Sequence, residues 1–380
     1  MNPDHEIPDS NQSSPVDLNS EGIEEPNTTV NFGVEMKPGP AADSDLVDYS
    51  MDPEQEWRVF QNNSSSLSGS WRSDQERYAK LCHAAVEQSL EKLSSEPMTV
   101  KSLYEFLAGQ RHAIAEELHQ ASNKKIGKVR TYDQRGEPWT PIIPTGKYGD
   151  FFTPVKDRII ALYNKEPQEQ KGYIIQEDTS GGDFRRGDWV VITDGDLRLT
   201  GITYPKENEM DIMLFGSSFI FLHTEAQYIP KIYEKIDNLF KSVLDHPQPT
   251  RENMQKIGEM VWYLAHAMPC ERGSAATTEM FARTMMKKIG LPIVPYEHQI
   301  PLDFEALTEP DKTKFIERFT TDFYPKLSKY YEACVEKETL NPVEESTGSA
   351  SIFKSFKQEL NKIIHAASEV LENWNSPKNR

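Results

Sequence analysis

The spacing of apolar residues along the chain predicts a protein built mostly from amphipathic helices. Apolar side chains recur at three- and four-residue steps from Asp74 to Leu93, from Thr99 to about Ser122 and from Ile229 to Val243. Each run forms one apolar stripe that a helix can bury against a neighbour. The same spacing predicts further helices at 155–163, 311–319, 322–337 and 352–374.

Between residues 131 and 228 the pattern changes from that of helices to that of strands. Runs rich in β-branched and aromatic residues predict strands at Tyr173–Gln176, Trp189–Thr193, Leu197–Tyr204 and Asp211–Leu222. The pair Asp194-Gly195 is typical of a two-residue hairpin turn. We therefore predict a mainly α fold with a small antiparallel β-sheet insertion, an α+β class.

Composition divides the chain into four predicted regions. Residues 1–70 are poor in large apolar side chains and rich in Pro, Ser, Asn, Asp and Glu, which predicts a disordered acidic tail. The other three regions are a helical segment at 71–130, a β-containing segment at 131–228 and a helical core at 229–380.

The net charge of -18 is concentrated at the N-terminus. Residues 1–56 hold 14 Asp/Glu and one Lys, a sum of -13, which leaves -5 for the remaining 324 residues. Neither part has the basic excess that binding to a phosphate backbone requires. No nucleic-acid partner is therefore expected.

Cysteine usage and hydropathy bear on the compartment. The three widely spaced cysteines form neither a disulfide framework nor a CxxC metal pattern, which favours a reducing compartment such as the cytoplasm. The N-terminus lacks the basic and apolar regions of a secretory signal, and no apolar run is long enough for a membrane span. We expect a soluble protein, and secretion into a host cell without a cleaved signal peptide stays open.

The segment from Met254 to Val294 carries the strongest chemical signal. It predicts two amphipathic helices, the first stopped by Pro269 and the second capped by Ser274. The polar turn between them, Cys270-Glu271-Arg272-Gly273-Ser274, directs backbone N–H groups and a helix dipole at one spot beside a guanidinium. Such a turn is suited to binding an anion.

The order of features in this segment resembles the Fic (Fido) family. A helix carrying Trp262 ends in His266, a proline-containing turn follows with Glu271 and Gly273, and a second helix leads to the exit Ile289-Gly290-Leu291-Pro292-Ile293-Val294. The resemblance implies a Fido-like helical core with its central motif at 262–279. It also implies a transferase, a nucleotidyltransferase that moves AMP or a related nucleotide or phosphate-containing group from ATP onto a protein side chain.

The resemblance assigns a role to each residue of the motif. His266 would be the catalytic base, Glu271 would be catalytic and hold Mg²⁺, and Arg272, Gly273 and Ser274 would bind the nucleotide phosphates. The implied partners are ATP and a protein substrate, such as a host protein attacked by a bacterial effector in virulence.

The motif also departs from the family pattern, so an alternative stays open. The family's asparagine and its two downstream arginines are absent, with Ala275 and Thr277 near those arginine positions. A non-catalytic protein-interaction module with a degenerate nucleotide site accounts for these losses.

Simpler interpretations compete with each candidate site. The turn is also ordinary punctuation between two helices, although Cys270 beside His266 permits a nucleophile. The i, i+4 pairs His83/Glu87 and His112/Glu116 fit surface pairing better than a two-ligand metal face. Two further signals are weak: a flexible turn at 179–182 that mimics a phosphate loop, and an ExE pair, Glu207 and Glu209, like that of ADP-ribosyltransferases.

Overall fold

The computed structural model describes residues 59–60, 71–120, 123–131, 139–142, 149–176, 188–203, 219–328 and 331. By its internal contacts the chain divides into 1–46 and 47–380, and every described residue belongs to the second unit. Several predictions concern residues outside the described ranges: most of the acidic tail, the turn at 179–182, the Glu207/Glu209 pair, the strand portion 211–218 and the helix at 352–374.

The described residues include eight α-helices and five β-strands, and residues 325–328, within the predicted helix 322–337, are helical as well. The helices are α1 (Trp71–Ser95), α2 (Val100–Glu117), α3 (Gly149–Tyr163), α4 (Ile229–Asp245), α5 (Arg251–Ala267), α6 (Ser274–Lys288), α7 (Leu302–Leu307) and α8 (Lys312–Thr321). The strands are β1 (Trp139–Ile142), β2 (Tyr173–Gln176), β3 (Trp189–Asp194), β4 (Leu197–Thr203) and β5 (Phe219–Leu222). The predicted class, mostly helical with a small antiparallel sheet, is confirmed.

Helix α5 lies at the centre of the helical core and packs against α4, α6, α7 and α8. It begins at Arg251, because the Thr250 side chain caps it by accepting a hydrogen bond from the amide of Asn253 at 3.2 Å. All the residues from Met260 to Ala267 are buried, so the helix is enclosed on every side over its last two turns. At Gly258 the absent side chain lets Phe319 of α8 approach closely.

Helices α1 and α2 pack against each other and against α6. Helix α2 begins directly after Thr99, which forms a full capping box with Ser102. Helix α2 ends at Glu117, earlier than the predicted Ser122, because His119 adopts a left-handed φ of 49° just beyond the end. The long, apolar stripes of both helices face α6 and fix its orientation.

The five strands form one antiparallel sheet in the order β1-β5-β4-β3-β2. The predicted hairpin joins β3 to β4, with Asp194 paired to Leu197, so the two turn residues are Gly195-Asp196 rather than Asp194-Gly195. Gly195 takes the positive φ, 59°, that the turn requires. Strand β1 was not predicted, because its four residues lie in a Pro-rich connector and include Pro141.

Side chains from the helices hold the sheet in place. Tyr163 of α3 donates to the carbonyl of Ile202 in β4 at 3.0 Å. At the hairpin, the Asp194 carboxylate pairs with Lys235 of α4 at 2.6 Å and accepts a hydrogen bond from Tyr263 of α5. The pKa of Asp194 is lowered: burial alone would raise it, but the hydrogen bonds from Lys235 and Tyr263 outweigh that effect.

Three further differences from the predicted elements concern α3, α7 and the predicted tail. Helix α3 begins at Gly149, six residues before the predicted start, with Pro154 inside it. Helix α7 was not predicted because a helix of six residues is too short to show a recognisable helical period in the sequence. Val59 and Phe60, inside the predicted tail, are buried, and the Phe60 carbonyl accepts a hydrogen bond from Gln75 of α1.

Candidate functional site

The turn between α5 and α6 is held by a neighbouring extended segment at 126–130. The amide of Arg130 donates to the carbonyl of Pro269 at 2.8 Å, the amide of Glu271 to Lys128 at 2.8 Å and the amide of Gly127 to Arg272 at 3.0 Å. Backbone pairing therefore occupies part of the turn that we predicted to be a free anion nest.

The N-cap of α6 was predicted wrongly. Gly273 occupies the cap position with a φ of 83°, and a side chain there would bring Cβ within 3.1 Å of Cγ2 of Ile126. Ser274 is the first helical residue, and its hydroxyl accepts from the Cys270 amide at 2.9 Å and donates to the Cys270 carbonyl at 3.1 Å. The serine closes the turn instead of capping the helix.

The described neighbours of His266 differ from those of Glu271. His266 is fully buried, its Nδ1 lies 3.0 Å from the hydroxyl of Thr200 and its ring packs on Trp262. Burial lowers the pKa of His266 to about 3. Glu271 instead pairs with Lys128 at 2.7 Å. The two residues that the resemblance joined in one catalytic task therefore interact with different neighbours.

Arg272 and Cys270 lie in contrasting environments. The Arg272 side chain is exposed at the N-terminal end of α6, where it meets no hydrogen-bond or ion-pair partner within the described part of the chain. Burial raises the pKa of the Cys270 thiol to about 11, so the thiol stays protonated near neutral pH. A protonated thiol is a weak nucleophile, so this environment does not favour the interpretation of Cys270 as one.

A second arginine, Arg130, lies on the inner side of the same turn. Its guanidinium is buried, and Nη2 donates to the carbonyls of Thr224 and Ala267 at 2.6 Å each. Its Nε and Nη1 atoms are buried without a hydrogen-bond partner among the described residues. Burial also lowers the pKa of Arg130, to about 10, which leaves it charged at neutral pH.

Two more buried groups with unused hydrogen-bonding capacity surround Arg130. His223, next to Thr224, is linked through Nε2 to the Thr140 hydroxyl at 2.8 Å, and its Nδ1 has no partner in the described ranges. The Tyr233 hydroxyl of α4 is likewise buried and without a described partner. If the Thr140 hydroxyl donates to Nε2, all the unused atoms at Arg130, His223 and Tyr233 are donors.

The electrostatics around Arg130 favour a negative ligand. The acidic groups that influence Arg130 are Tyr104, Cys270 and Tyr233, and burial raises the pKa of each of them above its ordinary value, so they are neutral at pH 7. No carboxylate of the described residues pairs with this guanidinium. Burial and the nearby Arg130 charge lower the pKa of His223 to about 3.

Two other buried arginines differ from Arg130 in their surroundings. Arg283 lies 3.6 Å from the Glu279 carboxylate and over the ring of Tyr324. Arg111 has unpaired Nε and Nη1 atoms too, but its Nη2 donates to Gln120 at 2.7 Å and its guanidinium stands over the ring of Tyr78. Arg283 too has unpaired Nε and Nη2 atoms, beside the unpaired hydroxyl of Tyr324. Among these three, Arg130 is the one whose described hydrogen bonds go only to main-chain carbonyls and which has no described carboxylate partner or aromatic ring under it.

The sequence patterns did not point to Arg130, His223 or Tyr233 as parts of one site. The three residues come from distant parts of the chain, and no spacing rule links them. The His112/Glu116 pair behaves as a surface pair, 3.4 Å apart. Within the described residues no group of three His, Cys, Asp or Glu side chains could hold a metal ion.

Comparison with known proteins places residues 169–325 on a family model, AvrB_AvrC, described as "Avirulence protein". The chain is also 30% identical over 97 residues to Avirulence protein B of Pseudomonas savastanoi pv. glycinea, a stretch that is 26% of this chain and 30% of that protein. The matched region thus spans about 30% of the relative's length.

These findings overturn the resemblance to the Fic/Fido family. The avirulence model covers α5, the turn and α6 entirely, so the region that carried the resemblance matches a different family. The roles that the resemblance gave to His266 and Glu271 lose that support.

None of the described helices is long and apolar enough to cross a membrane.

Proposed function

We propose that this chain is a bacterial effector that acts on a protein of the host cell. The match of residues 169–325 to an avirulence family supports the proposal. That region includes β2 to β5 and α4 to α8, and therefore holds His223, Tyr233 and the turn beside Arg130. His223 and Tyr233 of the site lie within the region of similarity, whereas Arg130 itself lies outside it.

We further propose that the buried site around Arg130 binds a small oxyanion-bearing ligand. A buried cation without a negative partner costs several kcal/mol, and a bound phosphate or carboxylate would remove that cost. The Arg130 guanidinium has unused N–H donors on Nε and on Nη1, and each of them can donate a charge-assisted hydrogen bond to an oxyanion. The uncompensated guanidinium of Arg130 is the observation that carries this part of the proposal.

The proposed action is ligand-dependent binding of the host protein rather than nucleotidyl transfer. His266 is enclosed by Thr200 and Trp262, so it is not positioned to take a proton from an incoming hydroxyl. Nucleotide, ATP and magnesium stay predictions, and Arg272 with the amides of Gly273 and Ser274 stays a predicted phosphate contact at the outer side of the turn.

Thermal unfolding with and without candidate anions tests the ligand site. Inorganic phosphate, pyrophosphate, and ATP with and without Mg²⁺ are the probes. A ligand at 100 times its Kd stabilises the folded state by about 2.7 kcal/mol. We expect at least one probe to raise the melting temperature of the wild type, and we expect that shift to vanish in Arg130→Met.

The stability of Arg130→Met in the absence of any anion shows whether Arg130 serves a ligand or the fold. If Arg130 is kept for a ligand, Arg130→Met is as stable as the wild type or more stable without anion, because an unpaired buried charge is gone. A loss of about 3 kcal/mol or more in unliganded Arg130→Met would show a structural role instead. Arg251→Met, at an exposed arginine, is the matched control.

The effector role is tested by delivery into host cells. A fusion of the chain to a cyclase reporter that is active only in host cytoplasm should raise cyclic AMP when the encoding bacterium contacts host cells. Arg130→Met should be delivered normally and should lose the host response. If the wild-type fusion produces no cyclic AMP although it is expressed, the effector proposal is wrong.

A further inference from the structure

Strand β2 is an end strand of the sheet and pairs only with β3 among the described elements. The amide of Thr193 donates to the carbonyl of Gly172 at 2.8 Å, which fixes the hydrogen-bonding alternation along β2. With Ile174 opposite Val191, the backbone of Ile174 faces β3 and the backbone of Tyr173 and Ile175 faces outwards. These outward groups have no hydrogen-bond partner in the described ranges.

The side chains of β2 reinforce this open edge. Ile174 is 51% exposed, and it is the one large apolar side chain that is exposed among the described residues. The strand contains no proline or lysine, the residues with which proteins usually protect an edge. The opposite edge strand, β1, does contain a proline, Pro141, which removes a backbone donor there.

We propose that the β2 edge binds an extended segment of a second protein by strand addition. Tyr173 and Ile175 would exchange backbone hydrogen bonds with the segment, and Ile174 would pack against an apolar side chain at every second position of it. The inference that the bound segment belongs to another protein rests on the proposed effector role. The inference that the β2 edge is open does not depend on the anion site.

The size of the edge argues against a second copy of this chain as the occupant. Four residues of strand span about 13 Å. A symmetric dimer through so short a strand would bury far less than the roughly 1,200 Å² that stable interfaces need. An extended peptide depends on main-chain hydrogen bonds and needs no large matching surface.

A phage-displayed library of random twelve-residue peptides, selected on the full wild-type chain, provides the probe. We expect selected peptides with alternating apolar residues, and at least tenfold weaker binding to Ile174→Lys by fluorescence polarisation. Ile174→Val should bind normally, and Ile174→Thr, uncharged and strand-forming, serves if the lysine variant does not fold. Arg130→Met should bind these peptides normally, which separates this proposal from the anion site.

Methylation of the peptide backbone tests strand addition itself. N-methyl groups at alternate residues should abolish binding, while those at the intervening residues should be tolerated, because only every second amide faces β2. Amide exchange at Tyr173 and Ile175 should slow on binding. The proposal is overturned if no peptide is selected, if Ile174→Lys binds equally well, if methylation shows no alternation, or if sedimentation reveals a dimer that Ile174→Lys dissolves.

Discussion

Replacing Glu305 by Gln is expected to destabilise the fold strongly. The Glu305 carboxylate is completely buried and receives two hydrogen bonds from Arg158, at 2.6 and 3.1 Å, and one from Arg318 at 2.7 Å. Nδ1 of His298 lies 2.7 Å from the same carboxylate. One carboxylate therefore joins α3, α7 and α8, and glutamine keeps its shape while removing its charge.

The magnitude follows from which charges are left without a partner. Breaking a buried ion pair from one side costs about 3–5 kcal/mol. The side chains of Arg158 and Arg318 are 30% and 24% exposed, so both can turn partly towards water in the variant. We therefore expect a loss near the lower end, about 3 kcal/mol.

Urea denaturation followed by tryptophan fluorescence measures this loss. With a slope of about 3 kcal/mol per molar urea, the midpoint should fall by about 1 M. Glu96→Gln, which removes an exposed partner of Lys92, is the control and should change stability by less than about 0.5 kcal/mol. A Glu305→Gln protein within about 1 kcal/mol of the wild type would refute the reasoning.

Three further predictions concern stability. Gly258→Ala should lose about 1 kcal/mol in urea denaturation, since its Cβ would lie 2.8 Å from Phe319 Cδ1 and the strain exceeds the gain in helix propensity. Gly273→Ala should lose about 2 kcal/mol in the same assay because its φ is 83°. The free energy of unfolding should fall as the pH drops below 6.5, because His266 takes up a proton in the unfolded state but not in the folded state, where its pKa is lowered to about 3. His266→Gln should reduce the slope of stability against pH by about 1.4 kcal/mol per pH unit.

Much of the helical fold was predictable because its signals are local. Thr99 and Thr250 cap helices where their neighbours in sequence require it, and apolar stripes follow from the helical period. The β2 strand was predicted to the residue, since a glycine precedes it and it is rich in β-branched and aromatic residues. Strand β1 escaped prediction because its pairing with β5, eighty residues later, is non-local.

The candidate site was predictable only in part, for a similar reason. The turn at Glu271 and Arg272 stands out in sequence, but the segment at 126–130 that pairs with it does not. The N-cap was misplaced because Ser274 is a favourable cap by type, whereas the crowding at Ile126, distant in sequence, requires glycine. The convergence of Arg130, His223 and Tyr233 is tertiary, so no periodicity reveals it.

Glu305 and Arg130 are both buried charges, but among the described residues only Glu305 has partners of opposite charge. This contrast supports the hypothesis that Arg130 binds a ligand. Glu305 is compensated by two guanidinium groups, which makes its burial tolerable. Arg130 has only carbonyl partners and neutral acids around it in the described part of the chain. A methionine of similar length would fill the same space without the cost of desolvating a charge. Through Nη2 the Arg130 guanidinium joins the end of α5 to Thr224, and the charge that these two carbonyls leave uncompensated is the reason to propose that it binds an anion.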